Sequence, residues 1–106
     1  EFEYASDGMN IQQIASLLAW DTIREQITPE RWLDAIAIAP RRIFGLEKNT
    51  IQQGTQAEIT IFTLAGATSL LPENNHSLSR NNPFEGKTLA GKVRATINNS
   101  LVHTNP

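Results

Sequence analysis

The chain has no cysteine, which excludes disulfides, cysteine-rich zinc sites and thiol nucleophiles together. That composition is compatible with a reducing compartment, and a cytoplasmic location is expected. Histidine is scarce as well: His76 and His103 are the only two, and they lie far apart in sequence. Zinc needs several nitrogen, sulfur or oxygen donors converging on one point, so His76 reads as a solvated residue of a polar loop. Metal binding by either histidine is not expected. Long apolar runs are missing too. Stretches such as Ile14 to Trp20 fall far short of the ~20 residues that cross a bilayer, so no membrane partner is expected. Charge of one sign is also lacking. The net charge of -2 comes from mixed acidic and basic residues and supplies no positive field for phosphate backbones, which argues against nucleic acid.

Motifs with chemistry are equally sparse. Gly86-Lys87-Thr88 lacks the upstream glycine of a phosphate loop. No two carboxylates form a close pair among apolar residues that would raise a pKa for acid-base work. Arg41-Arg42 has the forked donors that grip anions. The expected reading is structural: one arginine snorkels while the other pairs with a helix carboxylate. From local motifs alone the sequence proposes no enzyme.

Enough apolar residues are present, at 40% of the chain, for one modest core in a domain of this length. Ile11, Ile14, Ala15 and Leu18 recur at helical spacing, and the pattern predicts a helix over 9–25. Thr28-Pro29-Glu30 predicts a second helix, with threonine as N-cap and proline in the first turn. Ile27 and Trp32 stand at the two positions of a hydrophobic staple, and Trp32, Ala35, Ile36 and Ala39 continue the apolar stripe. Pro40 should end or kink that helix. A short turn over 41–44 then closes on Gly45 as a left-handed cap.

Beyond Gly45 the period becomes strand-like. Gly54 marks a turn, Ile59 and Ile61, alternating with Glu58, Thr60 and Phe62, predict a strand, and 63–78 reads mostly as loop. Val93, Ala95 and Ile97 predict another strand. Asn98-Asn99 predicts a hairpin turn with 100–103 as the returning strand. The class is α+β. So few strands are marginal alone, and their partners are expected in a longer chain.

Ser79-Arg80-Asn81-Asn82-Pro83-Phe84-Glu85-Gly86, followed by Leu89-Ala90-Gly91-Lys92-Val93, resembles the closing segment of dihydroorotases, in the allantoinase-like branch of the cyclic amidohydrolase superfamily. Those proteins carry Ser-x-Asn-Thr-Pro-Phe-x-Gly and then a Leu-x-Gly-x-Val strand. Ala39 to Leu46 is similar to their Asn-Pro-Ala-Arg-Ile-Phe-Gly-Leu, and Gly54 to Phe62 to their Gly-x-x-Ala-Asp-Leu-x-x-Phe. Phe2-Glu3-Tyr4-Ala5 with Gly8 looks like the loop after the eighth barrel strand.

The resemblance implies a fold: residues 1–45 as the end of a metal-dependent (β/α)8 barrel, and 46–106 as the C-terminal part of a small composite β-sandwich. A whole barrel needs about 250 residues, so a fragment of a larger chain is implied. The family's zinc ligands and catalytic aspartate would all lie before Glu1. Zinc is thus a cofactor of the intact family, with none expected on this chain, which holds no catalytic residue. Asp7 and Gly8 are the candidate substrate-binding residues. The sequence departs from the family there: Pro-Gly or Phe-Gly becomes Asp7-Gly8, and Gly-Leu-Glu-Thr or Gly-Leu-Gln-Thr becomes Ile11-Gln12-Gln13-Ile14.

The implied activity of the parent is the reversible conversion of carbamoyl aspartate to dihydroorotate in pyrimidine biosynthesis, with the fragment inactive alone. The alternative is a noncatalytic dihydroorotase-like subunit that scaffolds aspartate transcarbamoylase. A free-standing binding module is the weakest alternative. The expected partners are the remainder of the parent chain, a second copy, or aspartate transcarbamoylase.

Overall fold

A short run of residues that bury themselves at helical spacing sets the first element. Ile14, Leu17 and Trp20 are all buried; Leu17 and Trp20 lie on helix α1, Ala15–Ile23, and Ile14 is its N-cap. The computed structural model, which describes residues 8–48 and 50–105, shows this helix to be shorter at both ends than its periodicity predicts. At the front, the Asn10 amide donates to the Asn81 carbonyl, 2.8 Å, so residues 8–11 are held by a loop. At the back, the amides of Gln26 and Ile27 both fold onto the Ile23 carbonyl, and the chain turns into the next cap.

Helix α2, Pro29–Leu33, begins as expected, with the Thr28 hydroxyl accepting from the Arg31 amide at 3.3 Å and Pro29 in the first turn. Glu30 accepts from its own backbone amide and from the Thr28 hydroxyl, in that order of importance, and these hold its carboxyl below the usual 4.5. Trp32 packs against Trp20 and edge-on against Phe62, ring centroids 5.3 and 5.5 Å apart. Its indole N–H is buried without a hydrogen-bond partner among the described residues.

Pro40 does not end the helix. The chain widens into a π turn, Asp34–Ile38, in which the Ala39 amide reaches back to the Asp34 carbonyl, and then continues as α3, Ala39–Ile43. The wider turn accommodates the ring and the missing amide, as π-bulges and prolines do at kinks. Residues 41–43, read from sequence as part of a turn, are therefore helical. Gly45, at φ 65°, closes the helix, and the Leu46 amide returns to the Arg41 carbonyl at 2.8 Å in a Schellman arrangement. The expected apolar stripe is buried only at Trp32. Ala35 and Ile36 are exposed and Ala39 is half-buried.

Three antiparallel strands follow in the order β1-β2-β3: β1, Glu58–Ser69; β2, Thr88–Asn98; and β3, Leu101–Thr104. Strand β1 runs well into the segment read as loop. Its pairing with β2 shifts between Ile61 and Phe62 and again between Thr63 and Ala67, and Gly66, at φ 94°, lies within the second irregularity. The first shift resets the in-out alternation. Ile61 consequently faces outward, and Phe62 turns inward to meet Trp32. The hairpin turn is Asn99-Ser100, one residue later than predicted, with Asn99 at φ 57°. The fold class is α+β.

Helix α1 lies across β2. Ile14, Leu17, Leu70 and Leu89 form the buried cluster, flanked by Ile11, Phe84 and Val93, and the Asp21 carboxylate accepts from the Ala90 amide at 3.0 Å. A Cβ on Gly91 would sit 3.1 Å from Leu17 Cδ2 and 3.2 Å from the Thr63 carbonyl oxygen, and Gly91 has φ 92°. Gly91→Ala is therefore expected to destabilise the protein by about 1–3 kcal/mol through overpacking and backbone strain, read as a lowered urea midpoint; an unchanged midpoint would remove Gly91 from this role. Because Glu30's carboxyl is depressed, its stabilisation is present above 4.5 and is lost as pH falls through the folded value. Thr28→Ala should move the Glu30 titration, followed by NMR, back toward 4.5.

Candidate functional site

Of the two residues proposed to meet substrate, Asp7 lies outside the described residues, while Gly8 is seen at φ 71°. The residues after Gly8 have no helical ladder to satisfy their peptide groups, and a distant loop does so. The Asn81 carboxamide donates to the Gly8 carbonyl at 2.6 Å. The Asn82 carboxamide donates to the Asn10 carbonyl at 2.7 Å, and the Asn10 side chain donates to the Ser79 carbonyl at 3.2 Å. Further along, Gln13 donates to the Asn74 carbonyl and accepts from the His76 amide. The segment 8–13 and the loop 74–82 are sewn together almost wholly by neutral amides.

The loop holds its own shape by the same chemistry. Asn75 accepts from the Ser77 amide, Ser77 from Ser79, Ser79 from Asn81, and Asn82 from Phe84. These short side chains mimic backbone turns, which is why asparagine and serine populate such a segment. Asn82 is the key member. Among the described residues it is the one buried polar side chain, at 9% exposure, and both ends of its carboxamide are used, as burial requires.

Between the two segments lies a shallow hollow of about 380 Å³ lined by Gly8, Met9, Asn10, Ser77, Ser79 and Asn81. Its walls offer neutral donors and acceptors, so it suits a polar ligand and supplies no acid or base of its own. A second hollow of about 370 Å³ is lined by Gln13, Leu17, Leu70, His76, Lys92 and Asn105.

The two histidines, far apart in sequence, meet in the fold. Their rings stand edge to face, centroids 5.7 Å apart, and His103 Nε2 lies 3.1 Å from Asn105 Oδ1. No group of three or more histidines or carboxylates among the described residues could hold a metal. Arg41 is committed elsewhere, donating to Glu58 Oε2 and to the Glu47 carbonyl, each at 3.0 Å, which leaves the anion-gripping arginine pair without its first member. Its carboxylate partner lies on β1 and not on a helix. Both side chains of that pair are substantially exposed, so a double-mutant cycle of Arg41→Ala with Glu58→Ala should give a coupling of about 0.2–1 kcal/mol; a zero coupling would leave Arg41 open to a ligand.

In the sequence Asn81 and Asn82 stand out only as members of a motif, Gln13 only as part of a departure from one, and Asn10 not at all. The available signal was the density of asparagine and serine in a stretch with no ladder of its own.

No family model matches the chain. The dihydroorotase of Anaeromyxobacter dehalogenans is 32% identical over 98 residues, 92% of this chain and 23% of that protein. The dihydroorotase of Aquifex aeolicus is 38% identical over 96 residues, 90% of this chain and 23% of its own length. That of Clostridium acetobutylicum is 31% identical over 104 residues, 96% of this chain and 24% of its own. The chain is thus similar from end to end to proteins named dihydroorotase while spanning only 23–24% of their length.

Proposed function

We propose that this chain is the carboxy-terminal part of a dihydroorotase-like cyclic amidohydrolase of the allantoinase-like branch, which interconverts carbamoyl aspartate and dihydroorotate in the cytoplasm. The observation that carries this is the similarity to relatives named dihydroorotase over nine-tenths or more of the chain. In this reading residues 1–45 end a barrel, 46–106 contribute sandwich strands, and Asp7 and Gly8 lie in a loop that faces the substrate. The exposed apolar residues are consistent with it. Ile43, Phe44 and Ile51 are each about three-quarters exposed or more, a burden that suits a surface covered by the rest of a parent chain.

Zinc belongs to the intact family, and the residues here do not fit it. His76 and His103 face each other and His103 meets the Asn105 carboxamide, with no third histidine or carboxylate among the described residues to complete a ligand set, so no step of the chemistry is assigned to them. The second reading is a noncatalytic subunit that scaffolds aspartate transcarbamoylase. Asp7-Gly8 and the stretch Ile11-Gln12-Gln13-Ile14, where the family has a glycine, favour it.

The test is to express the parent gene product and assay carbamoyl aspartate cyclisation. Turnover by the parent, with none from residues 1–106 alone, is expected. An inactive parent that co-elutes with aspartate transcarbamoylase selects the scaffold, and a parent that does neither ends both readings. The isolated chain should also associate and bind an apolar dye; a dye-silent monomer in sedimentation would oppose the fragment reading.

A further inference from the structure

We infer that Asn81 and Asn82 are positioning residues for the Gly8 loop, fixing from the far end of the chain the backbone that meets the substrate. This rests on the proposed function for its substrate half, and its structural half stands on the geometry alone.

The Gly8 turn cannot hold itself. Its glycine sits in the left-handed region at φ 71°, and an added Cβ would meet nothing within 4 Å. Packing therefore does not confine it, and backbone freedom is greatest at such a residue. What confines it is a pair of adjacent carboxamides. Asn81 takes the Gly8 carbonyl through Nδ2, and the Asn81 carbonyl takes the Asn10 amide. Asn82 takes the Asn10 carbonyl through Nδ2. Peptide groups on both sides of Met9 are thereby tied to one dipeptide.

That dipeptide is itself rigid. The oxygen of the buried Asn82 carboxamide accepts from the Phe84 amide at 2.9 Å, and Phe84 packs against the α1–β2 core. The geometry of the Gly8 turn is therefore referred, through Asn82, to the core. Gly8 and Asn81 also line the same hollow, so a ligand seated there meets a wall whose spacing the clamp determines. Small errors of placement weaken binding when the contacts are directional.

Asn81→Ala removes one donor, and Asn82→Asp keeps the shape and the bond to Phe84 while setting a carboxylate oxygen against the Asn10 carbonyl. In the active parent enzyme each should raise the KM for dihydroorotate about threefold to tenfold, the equivalent of one neutral hydrogen bond, with kcat nearly unchanged. Thr68→Val is the control. It removes the Thr68 hydroxyl bond to the Gly91 carbonyl, loosening the sheet without touching the Gly8 turn, and should lower stability while leaving KM in place. Amide exchange over residues 8–13 is read alongside. Protection lost in both asparagine variants and kept in Thr68→Val supports the clamp whether or not the parent turns over, and protection unchanged overturns it. Lost protection with an unchanged KM in an active enzyme overturns the positioning role. An inactive wild-type parent fells the functional reading and the substrate half with it.

Discussion

The seat of α1 on β2 is the contact on which the rest of the described structure depends. It exists because Gly91 carries no side chain where Leu17 and the Thr63 carbonyl close in. It is fastened by the Asp21 carboxylate on the Ala90 amide. Once the helix lies there, Ile14 and Leu17 face Leu70 and Leu89, which brings the beginning of the helix over the loop that joins β1 to β2. The hydrogen bonds between residues 8–13 and 74–82 are a consequence of that placement. Segments more than 60 positions apart in sequence meet because one glycine lets two elements approach.

The core so formed is small, and much of the apolar surface lies outside it. Ile14, Leu17, Trp20, Trp32, Leu70 and Leu89 are buried, whereas Ile43, Phe44, Leu46, Ile51 and Leu101 are exposed. Burial contributes roughly 25 cal/mol per Å² of apolar surface, so side chains left in water add nothing to stability, and a three-stranded sheet has little else to draw on. The Trp32 indole N–H, buried without a partner among the described residues, adds a cost of order 1–3 kcal/mol. A surface of this kind is poorly matched to an independent existence and well matched to a parent about four times as long, as the relatives are.

What could be seen in the sequence was local. Thr28, Pro29, Ile27 and Trp32 announced a helix start because capping and stapling involve neighbours only, and Gly45 announced its end for the same reason. The alternation of Val93, Ala95 and Ile97 was legible because β2 keeps its parity through that stretch. The start of β1 was legible too, from Ile59 and Ile61; its continuation beyond Phe62 was not, since two irregularities and Gly66 break the alternation that marks a strand. Pro40 was read as a stop or kink because a π turn that accommodates it has no sequence signature. The front of α1 was extended too far because Asn10 answers to Asn81, a partner that periodicity cannot reveal. The meeting of His76 and His103 was hidden in the same way.

The pairing of Asn10 with Asn81 bears on how the site is built. A loop that must hold one shape without helix or strand needs donors and acceptors close to the backbone, and asparagine supplies both on a single-methylene stem. Charged side chains would do the same work only with their solvation stripped, which is costly at a position as buried as Asn82. The departures at Ile11 to Ile14 are tolerable on this view. Ile11 flanks the core, Ile14 enters it, and Gln13 joins the amide stitching, so the altered residues serve the attachment of the segment to the loop. The Gly8 turn then keeps its shape through Asn81 and Asn82, whichever residues follow it into α1.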